Sequence, residues 1–105
     1  MILIGFFQGV HTAVRWFTQT DTKIDKIILC SSDFPKDADF TALKKKLNEN
    51  VRLYYIYGLL DMIFTKDTYQ ASMNLLKLHK IDFTDLDFDG GHVINEKIIQ
   101  KILLK

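Results

Sequence analysis

The feature that most limits what this sequence can fold into is an alternation. Short, nearly continuous apolar runs are separated by segments whose apolar residues recur every three or four positions. Ile2-Leu3-Ile4 stops at Gly5, and beyond Gly9 the residues Val10, Ala13, Val14 and Phe17 fall at i, i+3, i+4 and i+7, one face of a helix. Lys26 opens a second run, Ile27-Ile28-Leu29-Cys30, which ends in the turn-rich stretch Ser31-Ser32-Asp33-Phe34-Pro35. Leu43 and Leu47 lie four apart around Lys44, Lys45 and Lys46, so Thr41 to Asn48 reads as a short helix that buries one edge and leaves its charges in water. Val51 to Tyr57 reads as a third strand stopped by Gly58, and Thr65 to Lys80 as a helix with Tyr69, Met73, Leu76 and Lys80 on one line.

The last third is less regular. Ile81 and Phe83 alternate, then Leu86 and Phe88 alternate one residue out of phase, which fits either a strand bulged near Thr84-Asp85 or a strand that starts later. Asn95 is placed to cap a final helix, with Ile94 and Ile99 as a hydrophobic staple and Ile98, Ile99, Ile102 and Leu103 as the buried stripe. The order β-α-β-(α)-β-α-β-α, with strands apolar along most of their length, predicts an α/β fold. Its sheet should hold about four mainly parallel strands, with helices covering both faces.

The chain has 105 residues, 48% of them apolar, with one proline and no linker-like stretch, so residues 1–105 are expected to form one domain. Fourteen Lys and Arg against thirteen Asp and Glu give a net charge of +1, a field that attracts neither a nucleic acid backbone nor an anionic membrane. No apolar run approaches the ~18 residues needed to span a bilayer, and the N-terminus lacks the flank and apolar length of a signal peptide. The single cysteine, Cys30, cannot form an internal disulfide, so a reducing, cytoplasmic setting is expected.

In parallel α/β sheets, functional groups gather in the loops at the carboxyl ends of the strands. The first such loop, Gly5-Phe6-Phe7-Gln8-Gly9, has the position and glycine spacing of the nucleophile elbow G-x-S-x-G, where small residues flank a tight, strained turn. Phe7 stands where the serine belongs. Asp61 follows the third strand in Gly58-Leu59-Leu60-Asp61, and His92 follows the fourth in Asp89-Gly90-Gly91-His92. Nucleophile position, acid and histidine thus occur in the chain order of the α/β-hydrolase triad.

Taken together these motifs resemble the C-terminal half of the serine carboxylesterase and phospholipase family of α/β-hydrolases, which includes acyl-protein thioesterase-like enzymes. The family's Gly-Phe-Ser-Gln-Gly elbow is matched by Gly5 to Gly9, its small-residue and proline loop by Ser31 to Pro35, its Gly-x-x-Asp by Gly58 to Asp61 and its Gly-His by Gly91-His92. The resemblance covers nearly all of the chain. It implies a truncated, three-layer α/β-hydrolase-like fold without a cofactor or a metal. It also implies His92 as the base that takes the nucleophile's proton, Asp61 as the acid that orients the imidazole and the Gln8 backbone N–H as an oxyanion donor.

Two departures change the expected chemistry. Phe7 has no lone pair with which to attack, and its ring fills space that a substrate carbonyl would occupy. The family's N-terminal half, whose loop supplies the second oxyanion donor, has no counterpart here, and losing one such donor costs ~10²- to 10³-fold in rate. The expectation is a catalytically inactive relative of carboxylic ester hydrolases, with vestigial Asp61 and His92 and a cleft for an ester-like small molecule. An alternative is a non-catalytic binding or assembly module. The first strand should offer an unpaired apolar edge to a second copy of the chain or to a separate N-terminal half.

Other readings compete locally. Asp85-Leu86-Asp87-Phe88-Asp89-Gly90, followed by Glu96, satisfies the EF-hand pattern for a calcium loop, although strand-like residues precede it and His92 occupies its eighth position. Ser31 and Ser32 are expected to bond the turn rather than act as nucleophiles. His11 and His79 are read as structural, Tyr54, Tyr55 and Tyr57 as core, and Cys30 as a buried, unreactive thiol.

Overall fold

The computed structural model describes residues 1–104. Four strands alternate with four helices: β1 (Ile2–Phe6), α1 (Gly9–Gln19), β2 (Lys26–Cys30), α2 (Phe40–Leu47), β3 (Arg52–Gly58), α3 (Lys66–Leu78), β4 (Thr84–Phe88) and α4 (Glu96–Leu103). The strands form one sheet in the order β1-β2-β3-β4. Every neighbouring pair is parallel, with Ile4 beside Ile28, Ile28 beside Tyr54 and Tyr54 beside Thr84. None of the helices in the described residues is long and apolar enough to cross a membrane.

Two apolar layers flank the sheet. On one face, Val10, Val14 and Phe17 of α1, Leu43 of α2 and Tyr69, Met73 and Leu76 of α3 pack on Ile27, Leu29, Leu53, Tyr55 and Tyr57. On the other, Ile102 of α4 joins Ile28, Cys30, Tyr54, Ile56 and Phe88, with Ile98 and Ile99 against them. Each fully buried aliphatic or phenyl side chain stabilises the fold by roughly 1.5–3 kcal/mol, which is why the i, i+3, i+4, i+7 stripe of α1 is the part that dives inward. Asp39, Thr65 and Asn95 cap α2, α3 and α4 by accepting hydrogen bonds from the amides of Ala42, Thr68 and Ile98.

Several details depart from the periodicity. β4 starts at Thr84, so the later-starting strand is correct and Ile81 instead closes the core below α3. Leu103 is exposed, because α4 meets the sheet through Ile98, Ile99 and Ile102 alone. Lys80 lies past the end of α3 in a left-handed turn. The first strand is not covered on both faces: Ile2 and Ile4 are 39% and 45% exposed.

Candidate acid–base site

The elbow of the sequence is an elbow in space. Phe7 follows β1 with φ 54°, in the left-handed region that side chains other than glycine avoid. Its amide donates to the Cys30 carbonyl at 3.0 Å, and its own carbonyl accepts from Val10 at 3.0 Å, so the turn is held at both ends. A Cβ on Gly5 would stand 2.9 Å from the Gly9 carbonyl oxygen and 3.0 Å from Val10 Cα, which leaves room only for glycine. Gly9 differs from the expectation: a Cβ there would meet nothing within 4 Å. The crowding is between the inner glycine and the first turn of α1, so only the inner one is sterically required. Gln8 is the N-cap residue of α1, with no side chain capping the helix.

Asp61 and His92 are brought together by a clasp between two loops. Leu59 N donates to Phe88 O and Leu60 N to Gly90 O, both at 2.9 Å, which locks the end of β3 to the end of β4. Any Cβ on Gly58 would collide with the backbone oxygens of Gly90 and Gly91, the latter at 2.5 Å, so a glycine at this strand end lets the His92 loop close over it. His92 Nδ1 then lies 3.0 Å from Asp61 Oδ2. A carboxylate only accepts, so Nδ1 carries the proton, and in the neutral ring Nε2 then holds the lone pair, the tautomer a general base requires.

Asp61 is thoroughly engaged, its side chain wholly buried. Oδ1 accepts from the amides of Ile63 at 2.8 Å and Phe64 at 3.0 Å, and Oδ2 accepts from the Tyr69 hydroxyl at 2.5 Å as well as from His92. Burial pushes the carboxyl's pKa up. The Tyr69 hydroxyl, the Phe64 amide, His92 and the Ile63 amide together outweigh that and hold it below 3.8. Burial and the Asp61 charge push the Tyr69 phenol well above its ordinary value, so it remains a donor.

His92 Nε2 is buried and has no hydrogen-bond partner among the described residues. Around the imidazole stand three phenyl rings, those of Phe7 at 4.8 Å, edge-on, Phe6 at 5.1 Å and Phe64 at 6.0 Å between centroids. Phe7 also lines a cavity of about 350 Å³ with Gln8, His11, Ser32, Asp33 and Phe64, and His92 does not reach that cavity. Phe7 and Phe64 thus border both the imidazole and the cavity.

Tyr69, Phe64 and Phe6 were not legible as site residues. Tyr69 looks like one more member of the α3 stripe, and only its hydroxyl, eight residues from Asp61, makes it part of the site. His11 is more than a solvated helix residue: its Nε2 meets Asp33 Oδ1 at 3.0 Å. Ser32 Oγ bonds the Asp33 carbonyl at 3.1 Å within its own turn, whereas Ser31 Oγ reaches the Val93 carbonyl at 3.5 Å in the loop after β4. Tyr54, Tyr55 and Tyr57 are core residues, His79 stacks on Phe40 at 3.8 Å, and burial pushes the Cys30 thiol up to about 12. Asp85 and Asp87 extend along β4, Asp89 follows it and Glu96 opens α4. Among the described residues, no three His, Cys, Asp or Glu side chains converge as a metal site would need.

By sequence, no family model and no curated protein matches the chain. By structure it is similar to a variant of SOBER1 from Arabidopsis thaliana, at 17% identity and TM-score 0.71, over 96% of this chain and 49% of that one. It is similar to esterase PE8 at 21% identity and TM-score 0.66, over 98% and 47% of the two chains. Acyl-protein thioesterase 2 from Zea mays aligns at 16% identity and TM-score 0.61, over 94% and 51%. An α/β-hydrolase enzyme from a deep-sea metagenome aligns at TM-score 0.60. The chain spans about half the length of these structures, and over that half it has the α/β-hydrolase fold.

Proposed function

We propose that this chain, with the fold of half an α/β-hydrolase domain, is a non-hydrolysing relative of the serine esterases and thioesterases. On this reading it corresponds to the C-terminal half of a carboxylesterase or phospholipase-like enzyme and keeps the acid and base of the reaction without its nucleophile. Its setting is the cytoplasm, where Cys30 stays reduced.

The observation that carries the reading is the buried Nε2 of His92, which has no hydrogen-bond partner among the described residues. Asp61 fixes the ring with Nε2 directed away from itself, as a base that deprotonates a hydroxyl must be. Nε2 meets no hydroxyl, and an aromatic ring is packed edge-on beside the imidazole, from a residue whose backbone holds the left-handed elbow conformation. A phenyl group can neither give up a proton to His92 nor attack a carbonyl, so covalent acyl transfer has no first step. The 350 Å³ cavity that Phe7 borders can hold a small ester-like molecule without cleaving it.

A fluorophosphonate, which an activated serine attacks at phosphorus with loss of fluoride, tests this directly by intact mass. The native chain should remain unmodified, Phe7→Ser should gain one phosphonyl group, and Phe7→Ser with His92→Ala should not. In parallel, a short activated ester should be hydrolysed by the native chain no faster than by buffer. Hydrolysis by the native chain that disappears in His92→Ala would overturn the proposal. So would a native chain that takes the label.

A further inference from the structure

The three consecutive lysines of α2 are not alike in the folded chain. Lys46 donates to the Thr20 carbonyl at the end of α1 and lies over the Phe17 ring, 5.8 Å from its centroid. Lys44 and Lys45 instead line a cavity of about 370 Å³, together with Phe40, Thr41 and Asn48 along α2 and His79 at the end of α3. The cavity shares no residue with the one that Phe7 borders. Its walls come from residues 40 to 79, and α1 packs both on β1 and against α2.

The lining has one sign of charge. Two ammonium groups, the Thr41 hydroxyl, the Asn48 amide and the His79 ring all offer donors, and no carboxylate lines the cavity. None of these five side chains has a hydrogen-bond or ion-pair partner among the described residues. The acids that flank α2 in sequence are used elsewhere. Asp39 caps the helix by accepting from the Ala42 amide at 3.0 Å, and Glu49 lines a separate cavity with Lys46. In a chain whose net charge is only +1, positive charge is thus gathered at one cavity without being neutralised from within.

Size and wall narrow the class of ligand. Small-molecule sites occupy about 300–1,000 Å³, so 370 Å³ is more room than a bare oxyanion fills. Phe40 and His79 are stacked with centroids 3.8 Å apart and planes 3° from parallel, which gives the cavity a flat aromatic wall. We propose that this cavity binds the phosphate monoester of a small ring-bearing molecule, a nucleoside monophosphate in chemical class. Lys44 and Lys45 hold the phosphate, and the ring lies against Phe40 and His79. A phosphate monoester carries about −1.5 to −2 charges at neutral pH, which matches two ammonium groups better than a single carboxylate does. Lysine meets phosphate as a point charge with three donors, and Thr41 and Asn48 can donate to the remaining oxygens. The site is independent of the Asp61–His92 pair and involves no hydrolysis.

Titration of the full chain with adenosine monophosphate at physiological ionic strength, followed through the backbone amide signals, tests the proposal. Adenosine and inorganic phosphate are titrated separately. Saturable shifts centred on residues 40–48 and on His79 are expected with the monophosphate, and binding about tenfold or more weaker with either part alone. Lys44→Ala combined with Lys45→Ala should weaken the monophosphate about tenfold or more, with the rest of the spectrum unchanged as evidence of folding. Lys77→Ala combined with Lys80→Ala removes the same charge from the end of α3, outside the cavity, and should leave the affinity within about twofold, since the ~8 Å screening length confines a diffuse field. Shifts that never saturate overturn the proposal. So does an equal loss in the two double variants, and so does adenosine or inorganic phosphate bound as tightly as the monophosphate.

Discussion

The molecule contains two histidine–carboxylate pairs with the same 3.0 Å separation, Asp61–His92 and Asp33–His11, and little else about them is alike. Asp61 is wholly buried and His92 16% exposed, whereas Asp33 and His11 are 36% and 35% exposed. Asp61 also accepts from two amides and a phenol, and its partner is enclosed by three phenyl rings. Asp33 has the Ser32 hydroxyl at 3.3 Å and the open cavity in front of it. Equal distance does not make the two pairs equivalent. What separates them is the cost of failure: a partner lost in the wet pair is replaced by water, and a partner lost in the buried pair is replaced by nothing.

The largest effect should come from breaking the buried pair. Asp61→Ala leaves the Tyr69 hydroxyl, two amides and His92 without their shared acceptor, and it should lower stability by about 3–5 kcal/mol, read from the urea midpoint. A loss as small as that of an exposed pair would mean the two pairs are equivalent after all. Tyr69→Phe removes one hydrogen bond to a charged group and keeps the ring on Tyr55 and Tyr57. Its cost should be about 1.5–3 kcal/mol.

Acid should separate the pairs further. Because Asp61 is held below its ordinary 3.8, folding favours the ionised form. Its contribution is complete above about pH 5 and disappears as the pH falls through the folded-state value, below about 4. Urea midpoints measured from pH 6 downward should fall steeply in that window, and Asp61→Asn should flatten the fall. The smallest effect belongs to the wet pair. His11→Ala should cost about 0.2–1 kcal/mol and leave the phosphonylation of Phe7→Ser by a fluorophosphonate unchanged. A loss of that labelling would place His11 in the site with His92.

Legibility in the sequence followed the range of the interaction. The stripe Val10, Ala13, Val14 and Phe17 is wholly inside, and Asn95 caps α4 as its position predicts. Those are properties of one turn of helix, and the residues that make them are neighbours along the chain. The start of β4 was ambiguous because two alternating patterns overlap near Thr84, and only pairing with Tyr54 on β3 selects one. Leu103 continues the apolar stripe of α4, yet the short helix presents only Ile98, Ile99 and Ile102 to the sheet. The glycines of the elbow look equivalent in sequence, and only packing against α1 distinguishes Gly5 from Gly9.

The sequence by itself determined the alternation of strands and helices, the Asn95 cap, and the chain order of Phe7, Asp61 and His92, because each of these is written in the residues of an element or its adjoining loop. The tertiary structure decided that Asp61 meets His92 across 31 residues and Tyr69 across eight, that a phenyl ring stands beside His92, and that the strands lie in the order β1-β2-β3-β4. Those outcomes depend on sheet order and on a left-handed backbone at residue 7. Hydrogen bonds and ring contacts extend only a few ångströms, so they form where folding brings loops together, and spacing along a chain does not record that distance.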